Sequence, residues 1–104
     1  MTRELIFLPE VRRDFLEAFN YYKTLSPPRG GERFETAFNK ALRQVKGGLI
    51  THRRAFVHFH RVFLPRYPYT VYYRLSENRA VIAALLYARF DPERIEAILK
   101  ERKE

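Results

Sequence analysis

The sequence contains no cysteine. Disulfide bonds, thiolate metal sites and cysteine nucleophiles are therefore excluded, and the composition suits a reducing compartment. Long apolar runs are also missing, because the longest, AVIAALLYA from Ala80 to Ala88, is too short to cross a bilayer. The first residues, MTRELIFLPE, lack the pattern of a secretory signal. We expect a soluble, cytoplasmic protein.

The sequence also lacks the groupings that hold metals or phosphates. The three histidines, His52, His58 and His60, have no cysteine and no neighbouring carboxylate to complete a ligand set. The glycine pairs of RGGE and KGGLI are interpreted as helix punctuation, because neither has the strand–loop–helix setting of a phosphate-binding loop. We therefore expect no metal and no cofactor.

Acidic residues are absent from one long segment. No Asp or Glu occurs between Glu35 and Glu77, and eight basic residues lie there: Lys40, Arg43, Lys46, Arg53, Arg54, Arg61, Arg66 and Arg74. These eight equal the net charge of +8, so the rest of the chain is balanced. A segment of one sign attracts a polyanion or an acidic partner. The alternative is the ordinary surface charge of a basic protein.

Apolar residues are present in sufficient number for a core. The chain has 104 residues, of which 46% are hydrophobic and 15% aromatic. This size and composition are typical of a globular domain, which buries about two-thirds of the surface that its unfolded chain exposes. We expect a single domain that spans residues 1–104.

Two helices are predicted in the first half of the chain. Pro9 is suited to opening a helix, and apolar residues then recur every three or four positions, at Val11, Phe15, Ala18, Phe19, Tyr22 and Leu25. Asp14 is assigned with other polar residues to the solvent side. A second apolar stripe runs from Phe34 to Val45, after the break SPPRGG at 26–31. Together the two segments predict an antiparallel helical hairpin.

The apolar period changes to two after THRRAF (51–56), which is interpreted as a basic connector. The strands predicted from there on are about Val57–Leu64, Tyr69–Leu75 and Arg79–Tyr87, the last apolar enough to be central. A short strand precedes Pro9, and DPE at 91–93 starts a short helix that is expected to fray or wait for a partner. The order β-α-α-β-β-β-α predicts an α+β fold, with the hairpin packed on one face of a small, antiparallel-rich sheet.

Four segments carry a resemblance to a known family. They are PEVRRDFLEAFNYY, GERFETAF, RVFLPRYPYTVYYRL and AVIAALLYARFDP, which cover nearly the whole chain. In their order and spacing the chain resembles the RelE/ParE superfamily of toxins from type II toxin–antitoxin systems, and more closely the ParE or plasmid-stabilisation branch. Arg61, Tyr67-Pro68-Tyr69 and Arg89 with Asp91-Pro92 match the pattern of that branch. Tyr87 and Phe90 depart from it, because they stand where the branch usually has histidine and arginine.

The RelE side of the superfamily implies a metal-independent, ribosome-dependent endoribonuclease that cuts messenger RNA. Such chemistry needs groups that transfer protons and cations that stabilise a pentavalent phosphate. The candidates are Arg61, Arg66 and Arg89 as cations and His58, His60 or Tyr87 as proton-transfer groups. The favoured alternative is that the histidines are satisfied strand residues and that Tyr87 is a tyrosine at the edge of the core.

The ParE side implies an inhibitor of a macromolecule such as DNA gyrase, which acts by binding. That role needs a basic, aromatic surface, because tyrosine and arginine are effective interface anchors. Tyr72 and Arg74 are predicted to be exposed, since they alternate with residues assigned to the core face. Any contact with nucleic acid is expected to be phosphate-directed and salt-sensitive. The candidate contacts with a target or nucleic acid are Arg53, Arg54, Arg61, Arg66, Tyr72, Arg74 and Arg89.

A toxin of this family also implies an antitoxin, a flexible acidic chain that wraps the toxin. The exposed side of the hairpin or the sheet edge can accept a helix or a strand from it, and opposite charge speeds capture. Leu16, Phe38 and Leu42 are the predicted contacts, with burial in the core as the equal alternative. We favour the ParE-like inhibitor over the nuclease. A non-toxic relic or interaction module of the same fold is the third interpretation, and a dimer or hetero-oligomer with the antitoxin stays open.

Overall fold

The computed structural model describes residues 2–47, 54–56 and 58–102, with only the backbone for 54–56. Its helices and strands follow in the order β1 (Glu4–Phe7), α1 (Glu10–Leu25), α2 (Gly30–Gly47), β2 (Arg54–Phe56), β3 (Phe59–Phe63), β4 (Tyr69–Ser76), β5 (Arg79–Tyr87) and α3 (Pro92–Glu101). The α+β class and the helical hairpin predicted from the sequence are confirmed.

The described strands form one sheet in the order β1-β5-β4-β3-β2. β1 pairs with β5 in parallel, and the other pairs are antiparallel. The predicted central strand is confirmed, because β5 lies between β1 and β4 and its residues 80–86 are buried. Ala83 is an extra residue in β5, since Tyr72 faces Ala84 while Tyr73 faces Ile82. This bulge changes which β5 side chains face each side of the sheet.

The connector predicted at THRRAF is wrong in its second half, because Arg54–Phe56 forms β2. β2 pairs with β3 through Arg54 opposite His60 and Phe56 opposite Phe59. The strand predicted at Val57–Leu64 corresponds to β3, which is shorter, and Val57 lies outside the described residues. A three-residue edge strand has too few residues to show alternation, and its pairing is decided by the neighbouring strand.

The hairpin of α1 and α2 covers one face of the sheet. Its core includes Phe34, Ala41 and Val45 from α2 and Tyr73 and Ile82 from the sheet. The sequence interpreted Gly30 and Gly31 as part of a break, but both begin α2 and are buried against α1. A Cβ atom on Gly31 would lie 2.9 Å from the ring of Phe19, so a residue without a side chain is needed where the helices approach.

On the opposite face of the sheet, α3 covers part of the surface. Asp91 begins this helix as predicted, because its carboxylate accepts a hydrogen bond of 3.0 Å from the Glu93 N–H. Ile95 and Leu99 are buried against a second cluster that includes Phe59, Tyr72 and Leu86. The expectation that this helix frays or waits for a partner is therefore wrong. The sheet itself supplies the apolar surface that buries the helix.

Candidate functional site

The sheet divides the basic segment between two surfaces. Arg61 of β3 lies directly opposite Tyr72 of β4, and Tyr72 belongs to the cluster under α3. Residues opposite each other in a sheet share a face, so Arg61 lies on the α3 side. Arg66 instead lies in the β3–β4 turn. There it lines a cleft together with Lys40 of α2. Residues that form a single charge run in the sequence are thus separated in space.

On the α3 side, arginines alternate with aromatic rings across β3 and β4. The Arg61 Cζ atom lies 5.3 Å from the ring centroid of Phe63, and the Arg74 Cζ atom lies 5.7 Å from that of Phe59. Cations within about 6 Å of a ring face are attracted by its quadrupole. Phe63 is 57% exposed. We call Arg61, Phe63 and Arg74, with Phe59 and Tyr72 beneath them, the basic strip.

Arg61 is a half-buried residue of the basic strip with an unmet hydrogen-bonding group. Its Nε atom is buried without a hydrogen-bond partner, and the ion pairs among the described residues do not include Arg61. A buried donor without an acceptor is uncommon and calls for an explanation such as a binding role. Among the described residues, no carboxylate pairs with this guanidinium, which packs beside the ring of Phe63.

Tyr72 is not exposed, contrary to the prediction. Its side chain is 3% exposed, because α3 covers the face of the sheet on which it lies. Burial raises the pKa of the Tyr72 phenol above its ordinary value, and the charge of Arg61 acts in the opposite direction. The alternation predicted for β4 is correct, but neither face of that strand is left open at this point. Arg74, two residues along, is partly exposed as predicted.

The residues proposed for nuclease chemistry do not share one face of the sheet. His60 stacks on Tyr73, with 5.4 Å between ring centroids, and Tyr73 belongs to the core under the hairpin. Tyr87 packs edge-on against Tyr69, which also contacts that core. Both therefore lie on the hairpin side, whereas Arg61 lies on the α3 side. His58 is exposed in the turn before β3.

Arg66 and Lys40 line a cleft between α2 and the β3–β4 turn. The cleft measures about 370 Å³, and the described residues around it are Arg33, Thr36, Ala37, Lys40, Pro65, Arg66 and Tyr67. Three of these carry a positive charge and none is acidic. Arg66 has a φ angle of 69°, which a residue with a Cβ atom adopts at some cost in energy. We call this the turn cleft.

The remaining predicted arginines are less informative. Arg89 is exposed in the turn after β5, at the end of the sheet where the Ala88 N–H donates to the Pro68 carbonyl. Arg54 is described by its backbone alone, and Arg53 lies outside the described residues. Roles for these three residues stay predictions.

The predicted antitoxin contacts divide between surface and core. Leu16 of α1 is 39% exposed, so it is available to a partner. Phe38 and Leu42 are 7% and 9% exposed and pack in the core under the hairpin. For these two residues the alternative of core burial is correct, because the face of α2 that carries them lies on the sheet.

The sequence interpretation missed a buried ion pair between α1 and the end of α3. Arg102 donates through both terminal nitrogens to the carboxylate of Asp14, with 3.0 Å between Nη2 and Oδ1. Asp14 also accepts a hydrogen bond of 3.0 Å from the Leu85 N–H, on the side of β5 that β1 leaves unpaired. The signal for its burial was present, since Asp14 lies between Val11 and Ala18 at helical spacing.

Among the described residues, no group of three or more His, Asp or Glu side chains is arranged to hold a metal ion. No helix among the described residues combines the length and the apolar character needed to span a bilayer.

Comparisons with known proteins point to one family. No protein-family model matches the chain. Curated proteins named Toxin ParE2, from two strains of Mycobacterium tuberculosis, are 24% identical over 102 residues, which is 98% of this chain and 97% of theirs. A solved structure described as a chromosomal ParDE TA system from P. aeruginosa has the same fold. It aligns with a TM-score of 0.69 at 15% identity, and the alignment covers 85% of this chain and 98% of the other.

Three findings agree with one another. They are the order of helices and strands, the nearly full-length similarity to curated ParE2 toxins and the fold shared with a ParDE system. They support the resemblance of the chain to the ParE toxins of type II toxin–antitoxin systems, in sequence over nearly its whole length and in fold.

Proposed function

We propose that this chain acts as a toxin that inhibits a macromolecular target, such as DNA gyrase, by binding to it. The names of the relatives support the toxin role, since one is called a toxin and the other belongs to a ParDE system. A target that carries DNA, or that has an acidic surface, complements the net charge of +8.

The basic strip is the observation that carries this proposal. Arginine and aromatic side chains that are packed together lose little conformational freedom on binding, and they are typical interface anchors. Arg61 combines a positive charge with a buried, unpaired Nε–H, and the exposed ring of Phe63 lies beside it. The separation of His60 and Tyr87 from Arg61 argues against a nuclease site formed by these three residues.

The test compares the two activities that the superfamily offers. Purified protein is added to a gyrase supercoiling assay and, separately, to ribosomes loaded with messenger RNA. We expect inhibition of supercoiling that weakens at least about tenfold, or about 1.4 kcal/mol, in Arg61→Ala and in Phe63→Ala. Arg43→Ala is the matched control, because Arg43 is an exposed arginine of α2 outside the basic strip.

Two results would contradict the proposal. One is cleavage of ribosome-bound messenger RNA that disappears in Arg61→Ala while supercoiling is unaffected, which would favour the nuclease. The other is the absence of any effect in both assays and of any growth defect on expression, which would favour a non-toxic relic. Thermal unfolding of each variant shows whether a loss of activity reflects a loss of fold.

We also propose that an acidic antitoxin neutralises the chain by covering part of the hairpin. Leu16 supports this, because it is an exposed apolar residue on α1. Adding the cognate antitoxin is expected to restore supercoiling, and Leu16→Arg is expected to weaken that rescue. Lys23→Ala, a change on the exposed part of the same helix, is the control. Full rescue of Leu16→Arg at the wild-type antitoxin concentration would exclude this contact.

A further inference from the structure

The turn cleft lies on the other side of the sheet from the basic strip and has no role in the function proposed above. Three cations surround it, from two separate parts of the chain: Arg33 and Lys40 from α2, and Arg66 from the β3–β4 turn. None of these three takes part in the ion pairs among the described residues. Like charges that converge without a counter-charge repel each other, and a bound anion relieves that repulsion.

The backbone of the turn holds Arg66 at the cleft. Arg66 adopts a positive φ angle and lies between Pro65 and Tyr67-Pro68, where the prolines restrict the chain. A residue kept in a disfavoured conformation by its surroundings is a reason to look for a function. The conformation here places Arg66 beside the two cations of α2.

Tyr67 adds an aromatic wall to the turn cleft. Its ring packs edge-on against Tyr22 and Phe34, with centroid distances of 4.8 and 5.2 Å, so it is held rigidly at the base of the turn. Thr36 supplies no free hydroxyl donor, because its Oγ1–H donates to the Glu32 carbonyl over 3.0 Å. Apart from the Tyr67 hydroxyl, the side-chain donors of the cleft are therefore cationic, and the ring of Tyr67 forms its apolar wall together with Ala37 and Pro65.

We propose that the turn cleft binds one nucleotide unit of a single-stranded nucleic acid, with the phosphate on the cations and the base or sugar against Tyr67. Cations beside a rigid aromatic ring are the combination that single-stranded nucleic acids select. Guanidinium groups also match the geometry of phosphate oxygens better than a simple point charge does. The volume of about 370 Å³ lies in the range of small-ligand sites.

Four charge-matched variants test the proposal. Lys40→Gln and Arg33→Gln remove cations from the cleft, while Lys46→Gln and Arg43→Gln remove the same charges from exposed sites on the same helix. Binding of a fluorescein-labelled single-stranded oligonucleotide is followed by anisotropy. We expect each cleft variant to weaken affinity at least about fivefold. The slope of the logarithm of affinity against the logarithm of salt concentration should become shallower by about 0.7. Each control should change affinity less than about twofold.

Competition experiments identify the source of the phosphate and the class of ligand. Unlabelled single strand should displace the probe at a lower phosphate concentration than a mononucleotide does, and inorganic phosphate should be weaker still. Amide shifts on titration with the oligonucleotide should cluster at Arg66, Tyr67 and Lys40. Equal losses in cleft and control variants, shifts centred on Arg61 and Phe63, or stronger binding of polyglutamate than of the oligonucleotide would each overturn the proposal. Since gyrase and ribosomes are absent, failure here leaves the proposed inhibitor role unaffected.

Discussion

At the scale of single residues, Asp14 and Arg102 form hydrogen bonds with backbone groups of β5 that the short first strand does not reach. β1 pairs with β5 only as far as Phe7 opposite Ile82, which leaves the next part of β5 with backbone groups pointing away from the sheet. Asp14 accepts from the Leu85 N–H, and Arg102 donates to the Ala83 carbonyl over 3.3 Å. The ion pair therefore satisfies this edge and ties α3 to α1.

Replacing Asp14 by Asn should destabilise the protein by about 3 kcal/mol, because Arg102 would stay buried without its counter-charge. Their side chains are 7% and 11% exposed, so solvent screens the pair little. Urea unfolding measures the loss, and Glu17→Gln, an exposed change one turn along α1, should cost less than about 0.5 kcal/mol. A loss below about 1 kcal/mol in Asp14→Asn would show that the pair is not important for stability.

At the scale of helices and strands, the start of α2 depends on two glycines for its contact with α1. A Cβ atom on Gly30 would overlap the backbone oxygen of Tyr22, and that oxygen cannot rotate away as a side chain can. The sequence showed a glycine pair after two prolines, which is also typical of a break. Whether such a pair ends a helix or lets two helices approach is decided by the neighbouring helix.

Gly30→Ala should therefore destabilise the protein by about 2 kcal/mol, through displacement of α2 from α1. Gly47→Ala is the matched control, because a Cβ atom there would meet nothing within 4 Å and alanine favours the helix by up to about 1 kcal/mol. Thermal or urea unfolding of both variants separates the two effects. Equal stability of the two variants would show that the close approach has no energetic importance.

At the scale of the whole molecule, buried and half-buried tyrosines on both sides of the sheet link stability to high pH. Burial raises the pKa of Tyr22, Tyr69 and Tyr72, with neighbouring tyrosines adding to the effect at the first two and Arg61 opposing it at the third. In the unfolded chain these phenols ionise near their ordinary pKa of 10.0. Above that pH the unfolded state binds fewer protons than the folded state does.

Below about pH 10, ionisation of these groups should therefore leave the free energy of unfolding unchanged. Above that pH, the free energy of unfolding should fall as the pH rises through their folded-state pKa values. Urea unfolding at several pH values measures this, and absorbance near 295 nm follows phenolate formation directly. Tyr72→Phe should reduce the loss of stability at high pH. Identical ionisation midpoints in folded and urea-unfolded protein would contradict the prediction.

The sequence by itself determined the order of the main helices and strands, the hairpin, the central place of β5 and the resemblance to the ParE toxins. These follow from local periodicity and capping, as at Asp91, and from residue order along the chain. It also located the excess positive charge within one segment. Only the tertiary structure decided which of those charges lie together, because strand pairing and helix packing act between residues far apart in the chain. Arg61 and Arg74 came to one face and Arg66 joined Lys40 on the other, while α3 buried Tyr72 against the sheet.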